Sequence, residues 1–500
     1  MSKRIPATPA PAPLEGYCER LDDLFTKRAQ RECLRRYLEG ILLPRERNKT
    51  LTALAHTQPV LGACDAAAQR LQWFLSESTW SPDALHQRRI ELLIQDPQTA
   101  PHAGGVLVID ETGDRKWGSK TAHMGRQYLG SIGKTDSGVV SVTSLWADER
   151  VYYPLHVEPY TPAHWFTQGK EDSDFRTKPK IAGELVARAL ALGIPFRAVV
   201  ADSLYGEHRQ LKAELKQYGV GFVLALKPSH DWRHPADEIG TVREAAQAAG
   251  ARWKSAQEPG LWSAVERRFR DGHTETWWAL EAECGPFSVL RHRRLVVATT
   301  DPKRLPDQST WYLETNLPRS GVPATKAARS EAGAEPSPHR SADCVEVVRL
   351  YGLRNWVEQG YKQVKHELGW ADYQVRSDVA IRRHWALVCC AFSFCWWVLP
   401  SEPEPAEPTP ALVSRSAAEI PVAERGENGG GTNPRRRSPA VVLAGSTTPC
   451  AGVAYPVGVD YTLVACLVGS TPARPSRGHA RIARGRQRNP PLQPVTTDHR

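Results

Sequence analysis

The sequence predicts an α/β protein in which a helical N-terminal region precedes a mixed sheet. Two observations predict this class. As far as about residue 95, apolar residues recur at helical spacing, as in "LDDLFTKRAQRECLRRYLEGILL". After residue 101, apolar runs such as "GGVLVID" and "FRAVVAD" alternate with helical segments such as "KIAGELVARALALGI", an order typical of a sheet with packed helices.

Composition divides the chain into segments with different expected structures. We expect a disordered Pro/Ala-rich lead, a helical region, an α/β core in two pieces, a β-rich insertion between them, a flexible loop and a disordered Arg/Pro-rich tail. The lead is residues 1–16, the helical region is 17–100, and the core is 101–229 with 341–399. The insertion is 230–318, the loop is 319–340 and the tail is 401–500. The insertion is inferred from Trp-rich alternating stretches such as "TETWWALEA".

Within the core, the predicted elements follow one another along the chain. A strand ends at Asp110, a turn at "KTDSG" follows, and "VVSVTSLW" and "VYYPLHVEPY" form a hairpin before the next helix. A second buried strand ends at Asp202, and the helix "HRQLKAELKQYG" and the strand "VGFVLALK" come after it. The segment from Tyr351 to Trp370 is predicted as one amphipathic helix.

Charge and cysteine usage limit the classes of function. The formal net charge is +10, which favours a polyanionic partner without identifying it. Arg28, Arg31 and Arg35 share a predicted helix face that could contact phosphate, although a solvated basic face is an equal alternative. The ten cysteines form no CxxC pair, so zinc is not predicted. The 16-residue run "WALVCCAFSFCWWVLP" is shorter than the roughly 20 residues of a membrane span, so we expect a buried helix and a cytoplasmic protein without a membrane partner.

Three acidic residues stand out by their positions. Asp110 and Asp202 each follow an apolar run, and Glu358 lies on the predicted amphipathic helix. Sites in α/β sheets gather at the carboxyl ends of strands, so these carboxylates could converge there. Hard oxygen ligands of this kind suit Mg²⁺, and a pair of such ions supports in-line phosphoryl transfer. Taken singly, each carboxylate has the alternative role of a turn or helix cap.

The helix that carries Glu358 has an unusual polar stripe. Tyr351, Arg354, Glu358 and Lys365 are spaced three, four and seven residues apart, so at about 100° per residue they share one side. Apolar residues occupy the other side. Arginine can bind a phosphate bidentately, and lysine can neutralise one. A solvated face with i,i+4 ion pairs is the alternative explanation for this stripe.

Four motifs carry a resemblance to a known family. They are "VIDETGDRKWG", "RQYLGSIGKTDSG", "VVADSLYGE" and "VEQGYKQVKHELGWADYQVR", and the polar stripe matches the signature Y-x2-R-x3-E-x6-K. Together they resemble bacterial insertion-sequence transposases of the insertion sequence 4 superfamily, in its insertion sequence 701 branch. The resemblance covers about residues 17 to 398 and stops where the Arg/Pro-rich sequence begins.

The resemblance implies a fold and a chemistry. It implies a ribonuclease H-like core interrupted by the β-rich insertion, with Asp110, Asp202 and Glu358 as a catalytic DDE triad that binds Mg²⁺, for which Mn²⁺ could substitute. It implies DNA cleavage and strand transfer, with Tyr351 and the stripe's two cations contacting DNA near the cut. The partners would be the element's terminal inverted repeats and the target DNA, bound by a homodimer, with the N-terminal helices helping to recognise the ends.

Other features leave alternatives open. Arg126 and Lys134, in the second motif, could contact DNA, and ordinary surface charge explains them equally well. A ribonuclease H-like nuclease without strand transfer would share the same residues. An inactive DNA-binding remnant of a transposase is the other alternative, because the tail 401–500 departs from the family pattern.

Overall fold

The fold was described from a computed structural model over residues 5–233, 239–269, 273–282, 294–320 and 338–398. The predicted tail and most of the predicted loop lie outside these described residues. The helices are α1 Ala12–Glu19, α2 Arg28–Leu42, α3 Leu51–Leu54, α4 Ala66–Ser76, α5 Pro82–Gln95, α6 Lys178–Ala191, α7 Ser203–Gly206, α8 Arg209–Gln217, α9 Val242–Gly250, α10 Cys344–Gly352, α11 Asn355–His366 and α12 Asp378–Trp397. The strands are β1 Val106–Arg115, β2 Gly125–Leu129, β3 Lys134–Ala147, β4 Tyr152–Tyr160, β5 Ala198–Ala201, β6 Phe222–Leu226, β7 Asp231–Arg233, β8 Ile239–Thr241, β9 Ser263–Arg268, β10 Thr274–Ala282, β11 Arg294–Thr299 and β12 Thr310–Thr315.

One large mixed sheet organises the protein. Its central strands run in the order β4–β3–β1–β5–β6, with β1, β5 and β6 parallel and β3 antiparallel to both β1 and β4. The strands are almost entirely buried and rich in Val, Ile and Leu, as expected for a sheet covered on both faces. This mixed α/β arrangement is compatible with a ribonuclease H-like fold.

The first strand is longer than the sequence predicts. β1 continues past Asp110 to Arg115, because β3 pairs with it over its whole length, from Val106↔Ala147 to Arg115↔Gly138. The predicted turn at "KTDSG" is also wrong, since residues 134–138 begin β3 and pair with β2. The turn lies just before them, where Gly133 has a φ of +66°, a conformation that glycine adopts without strain.

The region between residues 230 and 318 extends the sheet. β12 pairs antiparallel with β6, and β11, β10 and β9 continue outwards from it. The helix α9 covers one face of these strands, where Trp232, Trp262 and Leu280 form a second hydrophobic cluster. Four strands of this region, β9 to β12, therefore continue the large sheet, whereas β7 and β8 form a separate two-stranded sheet.

The N-terminal helices share their core with the sheet. Tyr17, Phe74 and Ile90 belong to the same hydrophobic cluster as Val108 of β1 and Phe392 of α12. α12 is buried along its length, as predicted for this apolar run, and links the two layers. Across the described residues, none of the helices combines the length and apolar character that crossing a bilayer requires.

The basic face predicted on α2 is neutralised within the protein. Arg35 forms ion pairs with Glu15 at 2.6 Å and with Asp22 at 2.7 Å. Arg31 is buried and donates hydrogen bonds to main-chain carbonyls, and Arg28 pairs with Glu32 on the same helix. Arg31 and Arg35 are therefore held inside the protein, and neither of the two alternatives, a phosphate contact or a solvated basic face, describes them.

The helix predicted from residue 351 to 370 is two helices. α10 ends at Gly352, and α11 begins at Asn355. Between them the backbone bonds tighten to i→i−3, from the Arg354 amide to the Tyr351 carbonyl and from the Val357 amide to the Arg354 carbonyl. The break separates Tyr351 from the helix that carries Glu358, so the polar stripe does not lie on one continuous helix.

Candidate active site

Three carboxylates from separate elements surround one guanidinium. The Arg354 Nη2 atom lies 2.9 Å from Asp110 Oδ2 and 4.0 Å from Asp202 Oδ2. The Arg354 Nη1 atom lies 3.7 Å from Glu358 Oε1. The three predicted acidic residues therefore meet at Arg354, and we call these four residues the carboxylate site.

The sheet register explains why the two aspartates meet. β1 and β5 are parallel neighbours, and Ile109 pairs with Ala201. The next residue on each strand is Asp110 and Asp202, so their side chains leave adjacent strands at the same level. Asp202 also caps α7, because its carboxylate accepts a hydrogen bond from the Leu204 amide at 2.9 Å.

The third carboxylate comes from the first turn of α11. Glu358 lies at the N-terminal end of that helix, where the helix dipole favours negative charge. Its side chain is 60% exposed and that of Asp202 is 34% exposed, whereas that of Asp110 is 10% exposed. The carboxylate site is thus closed at Asp110 and open to solvent at the other two acids.

The site carries an excess of negative charge. Three carboxylates and one guanidinium leave two negative charges when all the groups are ionised. Burial raises the pKa of Asp110 to about 7, and repulsion by Asp202 and Glu111 adds to this effect, while Arg354 opposes it. A cation that enters the site would relieve this repulsion.

Neighbouring acidic residues are already neutralised. Glu111 pairs with Lys178 at 3.2 Å. Asp114 pairs with Lys365 at 2.6 Å, and the Lys365 ammonium also donates to the Gly113 carbonyl. Glu111 and Asp114 are thus paired with lysines and do not add unpaired charge to the carboxylate site.

The remaining predicted DNA contacts lie in different surroundings. Tyr351 is 7% exposed, and its ring packs edge-on against Trp311 with centroids 4.9 Å apart. Burial raises the pKa of Tyr351 to about 12. Arg126 and Lys134 are exposed on the β2–β3 hairpin, and the structure does not bring them to the carboxylates. Burial does not support a direct DNA contact for Tyr351, and the roles of the two hairpin cations stay predictions.

Sequence reasoning missed two residues that support the site. The Tyr361 hydroxyl lies 2.5 Å from Thr143 Oγ1, and Thr143 is the β3 partner of Asp110. Tyr361 follows Glu358 by three residues, so helical spacing could have indicated that it lies beside the site. Lys178 carries no comparable signal, because its contact with Glu111 depends on how α6 packs on the sheet.

The donor chemistry of the site fits a divalent metal ion. In the described ranges, no three His, Cys, Asp or Glu side chains are already arranged around a common point, and Arg354 lies among the carboxylates instead. Carboxylate oxygens are nevertheless the ligands that Mg²⁺ and Mn²⁺ prefer, and the excess negative charge favours a cation. Asp202 and Glu358 are exposed enough to be reached from solvent.

Comparison with known proteins defines the class. A family model described as "DDE superfamily endonuclease" matches residues 20–281, which is more than half of the chain and includes Asp110 and Asp202. The chain belongs to the DDE superfamily endonucleases. It is also 32% identical over 372 residues to the "Probable transposase for insertion sequence element IS701" of Microchaete diplosiphon, covering 74% of this chain and 83% of that relative. The assignment to insertion-sequence DDE transposases is confirmed.

Proposed function

We propose that the protein cuts DNA at the terminal inverted repeats of an insertion sequence and joins the freed 3′ ends to target DNA. Asp110, Asp202 and Glu358 act as the catalytic triad and as the metal ligands. The observation that carries this proposal is their convergence on Arg354 from β1, the end of β5 and the start of α11. Convergence from three distant segments is difficult to explain by local capping or surface ion pairing.

Mg²⁺ is the proposed cofactor, with Mn²⁺ as a substitute. When bound, such an ion would supply charge that activates a water or a 3′-hydroxyl and stabilises the phosphoryl oxygens. The protein's own contribution is to hold the carboxylates in place. Thr143 and Tyr361 fix the position of β1 beside Asp110, and Lys178 keeps Glu111 paired outside the site.

Arg354 and Lys365 are the proposed DNA contacts nearest the cut. The Arg354 guanidinium presents donors that can bind a phosphate bidentately once the carboxylates are neutralised by another cation. Lys365 lies further along β1, at Asp114, where it can neutralise a neighbouring phosphate. Tyr351, which is packed against Trp311, positions the turn that carries Arg354.

A homodimer is the proposed assembly, because the two ends of an element must be brought together before they are joined to one target. The N-terminal helices are a proposed contact to the element ends. Since Arg31 and Arg35 are internally bound, this contact would use other exposed groups of that region.

The test is an in vitro reaction with a labelled duplex that contains one element end and a supercoiled target plasmid. We expect nicking at the end and joining to the plasmid with Mg²⁺ or Mn²⁺, and neither product with EDTA. Nicking without joined product would favour a nuclease without strand transfer. The absence of any metal-dependent product would contradict the proposed function and favour an inactive remnant.

A further inference from the structure

We propose that one face of the β2–β3 hairpin binds duplex DNA about six to eight base pairs from the cut, through Arg126 and Tyr128. This inference rests on the proposed function, because it places the hairpin relative to the scissile phosphate. The hairpin lies outside the carboxylate site, and the sheet register connects the two.

The register places both residues on the same sheet face as the catalytic aspartate. Asp110 pairs with Thr143 of β3, and Arg126 and Tyr128 pair with Ser137 and Thr135 of the same strand. Side chains alternate along a strand, and directly paired residues point to one face. The three partner positions on β3 are separated from one another by even numbers of residues, so their side chains point to the same face. Arg126 and Tyr128 therefore lie on the sheet face that carries Asp110.

The length of β3 sets the distance from the cut. Ser137 and Thr135 lie six and eight residues from Thr143. At about 3.3 Å per residue, Arg126 and Tyr128 lie roughly 20 Å and 26 Å from Asp110 along the sheet. At about 3.4 Å per base pair, these distances correspond to roughly six and eight base pairs.

Cations follow one another along this face. Arg354 lies at Asp110, and Lys365 lies at Asp114. Asp114 pairs with Val139, and the next position of that face on β3 is Ser137, the partner of Arg126. Arg354 and Lys365 are ion-paired with carboxylates of this face, and Arg126 continues the line at an exposed position where it can contact a DNA phosphate.

The hairpin's only acidic residue does not oppose this charge. Asp136 is the single Asp or Glu between residues 125 and 138, and it pairs with Arg115 at 3.1 Å. Asp136 lies one residue from Ser137 and so points to the opposite face. Tyr128 is 61% exposed beside Arg126, and a tyrosine hydroxyl can donate to a phosphate oxygen.

Lys134, the other hairpin cation considered as a DNA contact, lies on the opposite face, so under this inference it makes no contact and provides a matched control. It is exposed like Arg126, but it pairs with Leu129, whose side chain is fully buried. Lys134 is adjacent to Thr135, so its side chain points to the face opposite Tyr128. A general loss of surface charge would affect both variants, whereas a DNA contact on one face would affect only Arg126.

The experiment measures DNA affinity without divalent ions by fluorescence anisotropy. The probe is a duplex spanning an element end, extending about 12 base pairs on each side of the cleavage position, with shortened versions that keep about 4 base pairs on one side or the other. We expect Arg126→Ala to lower affinity for the full duplex about tenfold, as for a lost charged hydrogen bond. The slope of log affinity against log salt should fall by about 0.9.

The shortened probes locate the contact. On one of the two shortened duplexes, Arg126→Ala and Tyr128→Ala should bind as the wild-type protein does, because the contacted phosphates are missing. Lys134→Ala should match wild type on every probe. Equal losses for Arg126→Ala and Lys134→Ala, no loss for Arg126→Ala, or a loss that persists on both shortened duplexes would overturn the inference. Mg²⁺-dependent nicking by the wild-type protein, measured separately, tests the proposed function, so the two failures are distinguishable.

Discussion

Two ionic clusters in this protein contain three acidic residues each, yet they differ in charge balance. In the carboxylate site, Asp110, Asp202 and Glu358 share one guanidinium, that of Arg354. The second cluster, which we call the Glu158 network, joins three carboxylates to three guanidinium groups. Its members are Glu158, Glu184, Asp378, Arg176, Arg188 and Arg382.

The charge balance of each cluster decides the direction in which the pKa of its buried carboxyl group shifts. Burial raises the pKa of both Asp110 and Glu158. In the Glu158 network, hydrogen bonds from Arg382 and Arg176 outweigh burial and lower the pKa of Glu158 to about 2. In the carboxylate site, neighbouring acids add to burial, and the pKa of Asp110 rises to about 7. The Glu158 network is balanced by its own arginines, whereas the carboxylate site keeps an excess of acid, and the proposed metal site rests on that excess.

The largest expected effect is on DNA cleavage, which should depend on the carboxylate site and not on the Glu158 network. Asp202→Asn should lower metal-dependent DNA cleavage about a thousandfold, because a metal ligand contributes several kcal/mol to the transition state. Its unfolding temperature should remain close to that of the wild-type protein, since asparagine caps α7 as well as aspartate does. Cleavage assays and thermal melts on the same preparation would check both expectations. Undiminished cleavage would remove Asp202 from the proposed triad.

The converse substitution is in the Glu158 network. Glu158→Gln should lower the free energy of unfolding by about 2 to 3 kcal/mol, because it removes a buried carboxylate that three half-exposed guanidinium groups share. Cleavage per folded molecule should not change. Glu184→Gln is the control, since the Glu184 side chain is 34% exposed and its loss should cost about 1 kcal/mol or less. Equal destabilisation by the two variants, measured in urea, would contradict the comparison.

A substitution of Arg354 tests whether the stability of the carboxylate site depends on a metal ion. Arg354→Ala should lower the free energy of unfolding in EDTA by about 2 kcal/mol, because it leaves Asp110 buried without its ion pair. Mn²⁺ should restore most of that loss, since a bound ion neutralises the same carboxylates. Arg382→Ala serves as the control, because Mn²⁺ should not restore its stability. Restoration in both variants, or in neither, would argue against a metal site at Arg354.

The last expected effect is a difference in the pH dependence of stability. The pKa of Asp110 in the folded protein lies above its ordinary value of 3.8, so its contribution to stability is complete below about pH 4 and is lost as the pH rises towards 7. The pKa of Glu158 is lowered from 4.5, so its contribution is complete above about pH 4.5 and is lost only as the pH falls towards 2. The measurement is urea unfolding in EDTA between about pH 5 and pH 7. As the pH rises, the free energy of unfolding of the wild-type protein should fall relative to that of Asp110→Asn. The difference in free energy of unfolding between the wild-type protein and Glu158→Gln should stay constant over the same range. Parallel profiles for the two variants would contradict the opposite pKa shifts.

Much of the carboxylate site could be predicted from sequence because its signals are local. Buried strands are visible as apolar runs, and Asp110 and Asp202 follow such runs directly. Neighbouring parallel strands then bring their ends together without further information. Glu358 was indicated by its spacing from Tyr351 and Arg354, although the helix predicted to join them is interrupted.

The features that could not be predicted depend on partners distant in sequence. β1 extends beyond Asp110 because β3 pairs with its second half. Arg35 is neutralised by Glu15 and Asp22, which no periodicity connects to it. Arg354 lies among three acids because of the tight turn before α11, and a short run of i→i−3 backbone bonds leaves no clear signal in the sequence.

The central claim is that the excess negative charge of the carboxylate site binds a divalent ion. Its most direct test is a Mn²⁺ titration, followed by electron paramagnetic resonance in the presence of the uncut duplex. We predict that the wild-type protein and Glu158→Gln bind Mn²⁺ with similar affinity, and that Asp202→Asn shows a large loss of binding. Equal Mn²⁺ binding by Asp202→Asn and the wild-type protein would contradict the account.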